Sequence, residues 1–187
     1  MKNNEILRFG FILFAITAVS TALVSFVFTI TDPIIAQQKI EKDNAARTSI
    51  LQDAKEFEKV EGEYAPEIIE VYAGKDASGD IVGYTIKTAT NGYGGEVEVT
   101  TGISAKDDAL TGISIGSMSE TPGLGAKAVN ESFYGQYAGK ALTELKVEKN
   151  SVTGDDGILA ISGATITSTA VTRGVNAAIN LYNNELK

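Results

Sequence analysis

The sequence predicts an α+β protein: a mostly antiparallel sheet with packed helices, hung by a helical stalk from a single N-terminal transmembrane helix. Three observations carry that prediction. Residues 9–30, FGFILFAITAVSTALVSFVFTI, contain no charge, proline or carboxamide. From about residue 66, short runs with period-two alternation are separated by Gly/Asp/Ser turn signals. The chain then closes on an apolar stripe with helical spacing. The implied organisation is a cytoplasmic N-terminus at 1–8, a membrane helix at 9–30, a stalk helix and linker at 31–65, and a folded domain at 66–187.

As a helix, the apolar run would be roughly 33 Å long, enough for a bilayer core of about 30 Å. A secretory signal peptide is the competing account, but its apolar core is shorter and ends at a small-residue cleavage site. The segment TDPIIAQQ offers none, which favours a retained anchor. Lys2 and Arg8 precede the span, and Asp32 is the first charge after it. The positive-inside rule then places the domain outside the cytoplasm, although Lys39 and Lys42 weaken the asymmetry.

Residues 37–60 read as an amphipathic stalk helix, with Ile40, Ile50, Leu51, Ala54 and Phe57 on one side, and Asp32-Pro33 as a break or new turn. Next, EIIEVYAG and IVGYTIKTAT flank the turn KDASGD, predicting a hairpin. EVEVTTGIS and LTGISIGSM follow around AKDDA, with Val97, Val99, Thr101 and Ile103 sharing one face. AKAVNESFYGQYAGK has helical spacing at Val129, Phe133 and Tyr137. LTELKVEK and GILAIS give two further strands. The last helix is predicted over Thr169–Leu186, its stripe running Val171, Val175, Ala178, Ile179, Tyr182 and Leu186.

Composition removes several function classes. Beyond the span lie 23 acidic and 14 basic side chains, a net charge of −9, which suits neither nucleic acid nor anionic lipid. The chain has no Cys, His or Trp. Disulfides, thiolate-held iron–sulfur clusters, the common haem and zinc sites and histidine triads are therefore out of reach. Any redox chemistry would need an organic cofactor.

Three loops exceed what structure alone demands. NGYGGE (91–96) could be an irregular hairpin, and SETPGLGAK (119–127) a strand-to-helix connector. Yet the paired glycines of the second loop let backbone amides approach a flat or anionic ligand, with Glu120 and Thr121 placed to bond it. In the third, AISGATITSTAV, hydroxyls at Ser162, Thr165, Thr167, Ser168 and Thr169 crowd a helix start. One of them would suffice as a cap; a helix N-terminus ringed by alcohols is also a phosphate seat.

SGATITS resembles the S/T-G-A-T flavinylation motif of the FMN-binding domain family, and GYGG and ETPGLG occur in that family in the same order. With the single anchor, the chain is most similar to the family's G subunits of Rnf-type ion-translocating electron-transport complexes. The related C subunits of sodium-pumping NADH:quinone reductases are usually longer. The resemblance implies FMN joined to Thr165 by a phosphoester, and electron transfer within a complex coupling ferredoxin/NAD chemistry to ion translocation. It implies a cofactor site of Thr165, Ser162, Gly163, Ala164, Thr167, Ser168, Glu120, Thr121, Pro122, Gly123, Leu124, Gly125, Tyr93, Gly94 and Gly95. Partners would be the other subunits, a flavin transferase and the membrane, with no nucleic acid and no diffusing small-molecule substrate. The family usually has an acidic residue three positions before the Ser/Thr, where this chain has Leu159; Asp155 and Asp156 lie just upstream. An exported flavin carrier of another reductase chain and a cofactor-free tethered scaffold are the alternatives.

Overall fold

The computed structural model describes residues 2–187, with side chains from Glu5 onward; the Lys2 side chain, counted in the charge asymmetry, lies outside the described residues. The chain forms two compact units, one up to Asp43 and one from Asn44 to Lys187.

In the first unit the backbone is the leading part of α1 (Lys2–Ile50). One stretch of it is long and apolar enough to cross a membrane. Three of its threonines satisfy their hydroxyls within the helix: Thr17, Thr29 and Thr31 donate to the carbonyls of Leu13, Ser25 and Val27, four residues back, at 2.8–3.0 Å. The expected break at Asp32-Pro33 does not occur, because Pro33 lies inside the continuous helix. Long helix on both sides outweighs the one bond that proline removes.

The second unit carries a five-stranded antiparallel sheet in sequential order: β1 (Glu56–Lys59), β2 (Ile68–Lys75), β3 (Ile81–Asn91), β4 (Glu96–Ser104) and β5 (Ala109–Met118). The stalk reading of 37–60 is corrected here. The helix stops at Ile50, and Glu56–Lys59 pair with β2 from Glu56↔Lys75 to Lys59↔Tyr72. EFEK fits period two as well as helical spacing, and the open edge of β2 decides between them. Folded structure thus begins well before residue 66.

After β5 the chain makes short helical turns, Gly125–Val129, α2 (Glu131–Tyr134) and Gly135–Tyr137, rather than one helix. Phe133 and Tyr137 are buried as expected, while Val129 is half exposed. β6 (Lys146–Glu148) and β7 (Gly157–Leu159) form a small parallel pair. Asn176 holds the lead-in to β6: its Oδ1 accepts from Leu145 N, and its Nδ2 donates to Leu145 O, both at 2.9 Å. Gln136 grips Leu159 of β7 in the same way, at 2.8 and 3.3 Å.

α3 (Thr165–Leu181) continues into a wider final turn, Tyr182–Leu186. It starts four residues before the predicted Thr169, so the hydroxyl cluster forms its first turn instead of preceding it. The stripe Val171, Val175, Ala178 and Ile179 is buried on Val71, Ile86, Val97, Val99 and Ile103 of the sheet. Each of the valines and isoleucines among them contributes about 1.5–3 kcal/mol on removal from water. The opposite sheet face is also covered. Arg47, in the last turns of α1, bonds Glu70 at 2.6 Å and lies 3.7 Å over the Tyr72 ring, and Leu51 packs beside Gly74 and Gly83. Lys87 and Glu98 are paired there at 3.0 Å, as buried charges must be.

Candidate functional site

One end of this sheet brings the three loops together. β3 and β4 are joined by Gly92–Gly95, β5 runs out into Ser119–Leu124, and α3 begins at Thr165. Between them lies a cleft of about 610 Å³, lined by Tyr93, Glu120, Thr121, Leu124, Gly125, Gly163, Ala164, Thr165, Ile166 and Thr167. That size is within the usual range for a cofactor pocket.

Local backbone explains the close assembly. Gly163 takes φ +76°, and a Cβ there would stand 3.2 Å from Leu124 Cδ2, so the turn into α3 and the Leu124 loop meet only around glycine. Gly94 lies so near the Ser119 carbonyl that a Cβ would sit 2.1 Å from its oxygen. Glu120 ties the parts: Oε1 accepts from the N–H groups of Tyr93 and Gly94 at 2.8 and 3.2 Å, and Oε2 from Thr167 Oγ1 at 2.9 Å.

The helix start is open. Its first residue follows Ala164, which offers no side-chain cap. Ala164 N–H closes a turn onto Ile161 O, and Ser168 N–H is the first to bond back, to Ala164 O at 3.0 Å. The N–H groups of Thr165, Ile166 and Thr167 therefore point out of the helix with no partner among the described residues. Thr165 is half-buried in the cleft wall, and its hydroxyl has no bonding partner there either. Tyr93, Leu124 and Ile166 rim the opening with exposed apolar surface. Among the described residues, no lysine or arginine lines the cleft. An anion here would be met by peptide dipoles and hydroxyls, and a flat ring by the apolar rim, so the residues present fit an FMN phosphate and ring.

The expected site residues are not all equivalent. Tyr93, Glu120, Thr121, Leu124, Gly125, Gly163, Ala164, Thr165 and Thr167 meet in the lining. Gly94, Gly95, Pro122, Gly123 and Ser162 are outside it, shaping the loops. Ser168 faces inward: it is fully buried, donates to Ala164 O at 3.0 Å and accepts from Ile161 N at 2.9 Å. Ile166 is an addition to the expected set; its signal is an apolar residue off the stripe of α3, more than half exposed. Asp155 and Asp156 do not take the place of Leu159: Asp156 pairs with Lys146 at 3.0 Å, and Asp155 is exposed in the turn before β7.

Comparison with known proteins follows the same geometry. Residues 92–180, which contain every lining residue, match the FMN-binding domain family, and residues 1–50 match the RnfG N-terminal region. The chain is 41% identical to the G subunit of the Na+-translocating ferredoxin:NAD+ oxidoreductase complex of Acetobacterium woodii, over 96% of this chain and 92% of that one. It belongs to the family of G subunits of ion-translocating oxidoreductase complexes. A second member, from the proton-translocating ferredoxin:NAD+ oxidoreductase complex of Clostridium ljungdahlii, is 36% identical over 86% of this chain and 83% of that one. A third, from the ion-translocating oxidoreductase complex of Methanosarcina acetivorans, is 32% identical over 95% of each. The G-subunit fold is shared with the C subunit of the Na+-translocating NADH-quinone reductase of Parabacteroides distasonis: TM-score 0.58, 20% identity, 81% of this chain and 96% of that one.

Proposed function

We propose that this chain is the membrane-anchored flavin carrier of a ferredoxin:NAD+ oxidoreductase complex that couples electron transfer to ion translocation, with FMN held through a phosphoester at Thr165. The observation that carries the reading is the Thr165 hydroxyl. It is unbonded, sits at an uncapped helix N-terminus, and opens into a cleft of cofactor size. Bound there, FMN supplies one- and two-electron transfer.

The chain's own residues have separable roles. The first-turn amides at Thr165, Ile166 and Thr167 would hold the phosphate charge, which an acidic domain would otherwise repel. Tyr93, Leu124 and Ile166 would offer apolar surface to the ring, and Thr121 a hydroxyl in the same cleft. Covalent attachment would need a flavin transferase and a flavin dinucleotide donor, the Thr165 oxygen taking the FMN phosphate as the phosphoanhydride bond breaks and the nucleoside monophosphate leaves. It suits a domain outside the cytoplasm, where a lost cofactor is not replaced. Anchoring through residues 9–30, with the N-terminus cytoplasmic, agrees with the apolar helix and with Arg8 before it.

The test is an intact mass and peptide map of the protein from its own membrane. We expect an FMN adduct on the peptide carrying Thr165, and none in Thr165→Ala, whose fold should be intact because the lost hydroxyl bonds nothing. A colourless, unmodified wild type would overturn the reading.

A further inference from the structure

We propose that Glu120 is a positioning residue: its single carboxylate staples the three loops of the cleft into the arrangement that receives the flavin. The inference rests on the flavin reading above and assigns Glu120 a role different from direct contact with the cofactor.

Both oxygens are engaged by protein. Oε1 takes the Tyr93 and Gly94 amides of the β3–β4 loop, and Oε2 takes the Thr167 hydroxyl of α3. Glu120 itself sits on the loop that bears Leu124. The partners are 26, 27 and 47 residues away in sequence, so no local turn imposes the contact. Two glycines make room for it: a Cβ on Gly92 would stand 2.2 Å from Oε1, and one on Gly125 would stand 2.5 Å from Oε2. The carboxylate is thereby held between backbones, with little freedom to swing toward the cleft.

Its effect falls on groups it does not touch. Tyr93, Leu124 and Ile166 form the apolar rim from three separate elements, and strand pairing does not reach them. The base of the Tyr93 loop is tied further along α3, where Thr90 donates to Ala170 O and Arg173 to Asn91 O, while the Glu120 bridge joins the Tyr93 and Gly94 amides to the first turn of that helix. Three bonds made by one side chain to two separate elements offset the ordering cost of the loops they join. Aspartate is one methylene too short to span both sides. Glutamine spans them, accepting the two amides through its oxygen and turning its NH2 to Thr167 Oγ1.

The experiment compares full-length wild type, Glu120→Ala, Glu120→Gln and Thr167→Val by two readouts: amide hydrogen exchange at Tyr93 and Gly94, and visible circular dichroism of the flavin per mole of FMN bound. We expect Glu120→Ala to exchange those two amides at least about tenfold faster and to lose most of the flavin dichroism. Glu120→Gln should restore both, and Thr167→Val should retain the protected amides with weakened dichroism. Wild-type behaviour of Glu120→Ala in both readouts, or a Glu120→Gln as defective as Ala, would overturn the proposal. If Glu120→Ala fails to fold, Glu120→Gln and Thr167→Val decide alone. A wild type without flavin would sink the flavin reading, and the exchange rates would still judge the staple.

Discussion

Tyr137 is fully buried, and its phenol meets Thr172 Oγ1 at 2.7 Å; the threonine's own proton goes to Ser168 O, so the phenol is the donor. Burial pushes the phenol pKa well above its ordinary value near 10. The neutral ring is the form that suits the core. Its stabilisation is complete below about pH 10 and drains away as pH rises through the folded-state value. Tyr137→Phe should cost about 1 kcal/mol at neutral pH and flatten the alkaline fall in melting temperature, measured between pH 8 and 11. Single residues are legible in the sequence to differing degrees. The place of Thr165 in the cleft wall is legible because its motif is local. The bridging by Glu120 is not, because its partners are 26 to 47 positions away and only folding brings them together. Ser168 is hard to read for a related reason: an alcohol in a helix can face ligand or core, and its rotation is undefined until the helix start is known.

At the level of elements, the two carboxamides that grip backbone are the most informative. Asn176 reaches Leu145 with donor and acceptor together, at the lead-in to β6. Asn176→Asp keeps the acceptor, loses the donor and leaves Leu145 O unmatched. It should lower stability by about 1–2 kcal/mol in urea titration, whereas Asn180→Asp, on the exposed side of the same helix, should stay within about 0.5 kcal/mol. Elements with strong alternation are legible: Val97, Val99, Thr101 and Ile103 are all fully buried on one face. Less legible is Glu56–Lys59, four residues whose pattern fits either period and whose state depends on the free edge of β2. The start of α3 lies earlier than its residue types suggest, because Thr and Ser are poor helix interior residues but tolerable in a first turn.

For the whole molecule, the compact unit beginning at Asn44 includes the last turns of α1, and Arg47 and Leu51 are among its buried residues. A chain starting at Asn44 should therefore fold alone with a cooperative thermal transition. One starting at Lys55 should not, since it uncovers Tyr72, Gly74 and Gly83 and removes the Arg47 partner of Glu70. Calorimetry of the two fragments separates these outcomes. Acid should act through surface pairs. Lys146 holds the Asp156 carboxyl below its usual range, and Lys75 does the same for Glu58. Both contributions are present above about pH 4 and vanish as pH falls through the lowered folded-state values, so the urea midpoint should hold from pH 8 to 5 and decline below 4. Exposure keeps each effect small, and Asp156→Asn should remove only part of that decline.

The helix that bears Thr165 also rests on one point of very close approach. At Gly174 a Cβ would stand 2.6 Å from Thr88 Oγ1, so the backbone of α3 rests directly on the Thr88 side chain of β3. Thr165 lies nine residues away, about 14 Å along the axis. The contact is a fulcrum, and the first turn of α3 is the end of the lever arm. A single methyl group added at position 174 would pry the helix up and aim its amides elsewhere, detuning the cleft from a distance without touching any residue that lines it.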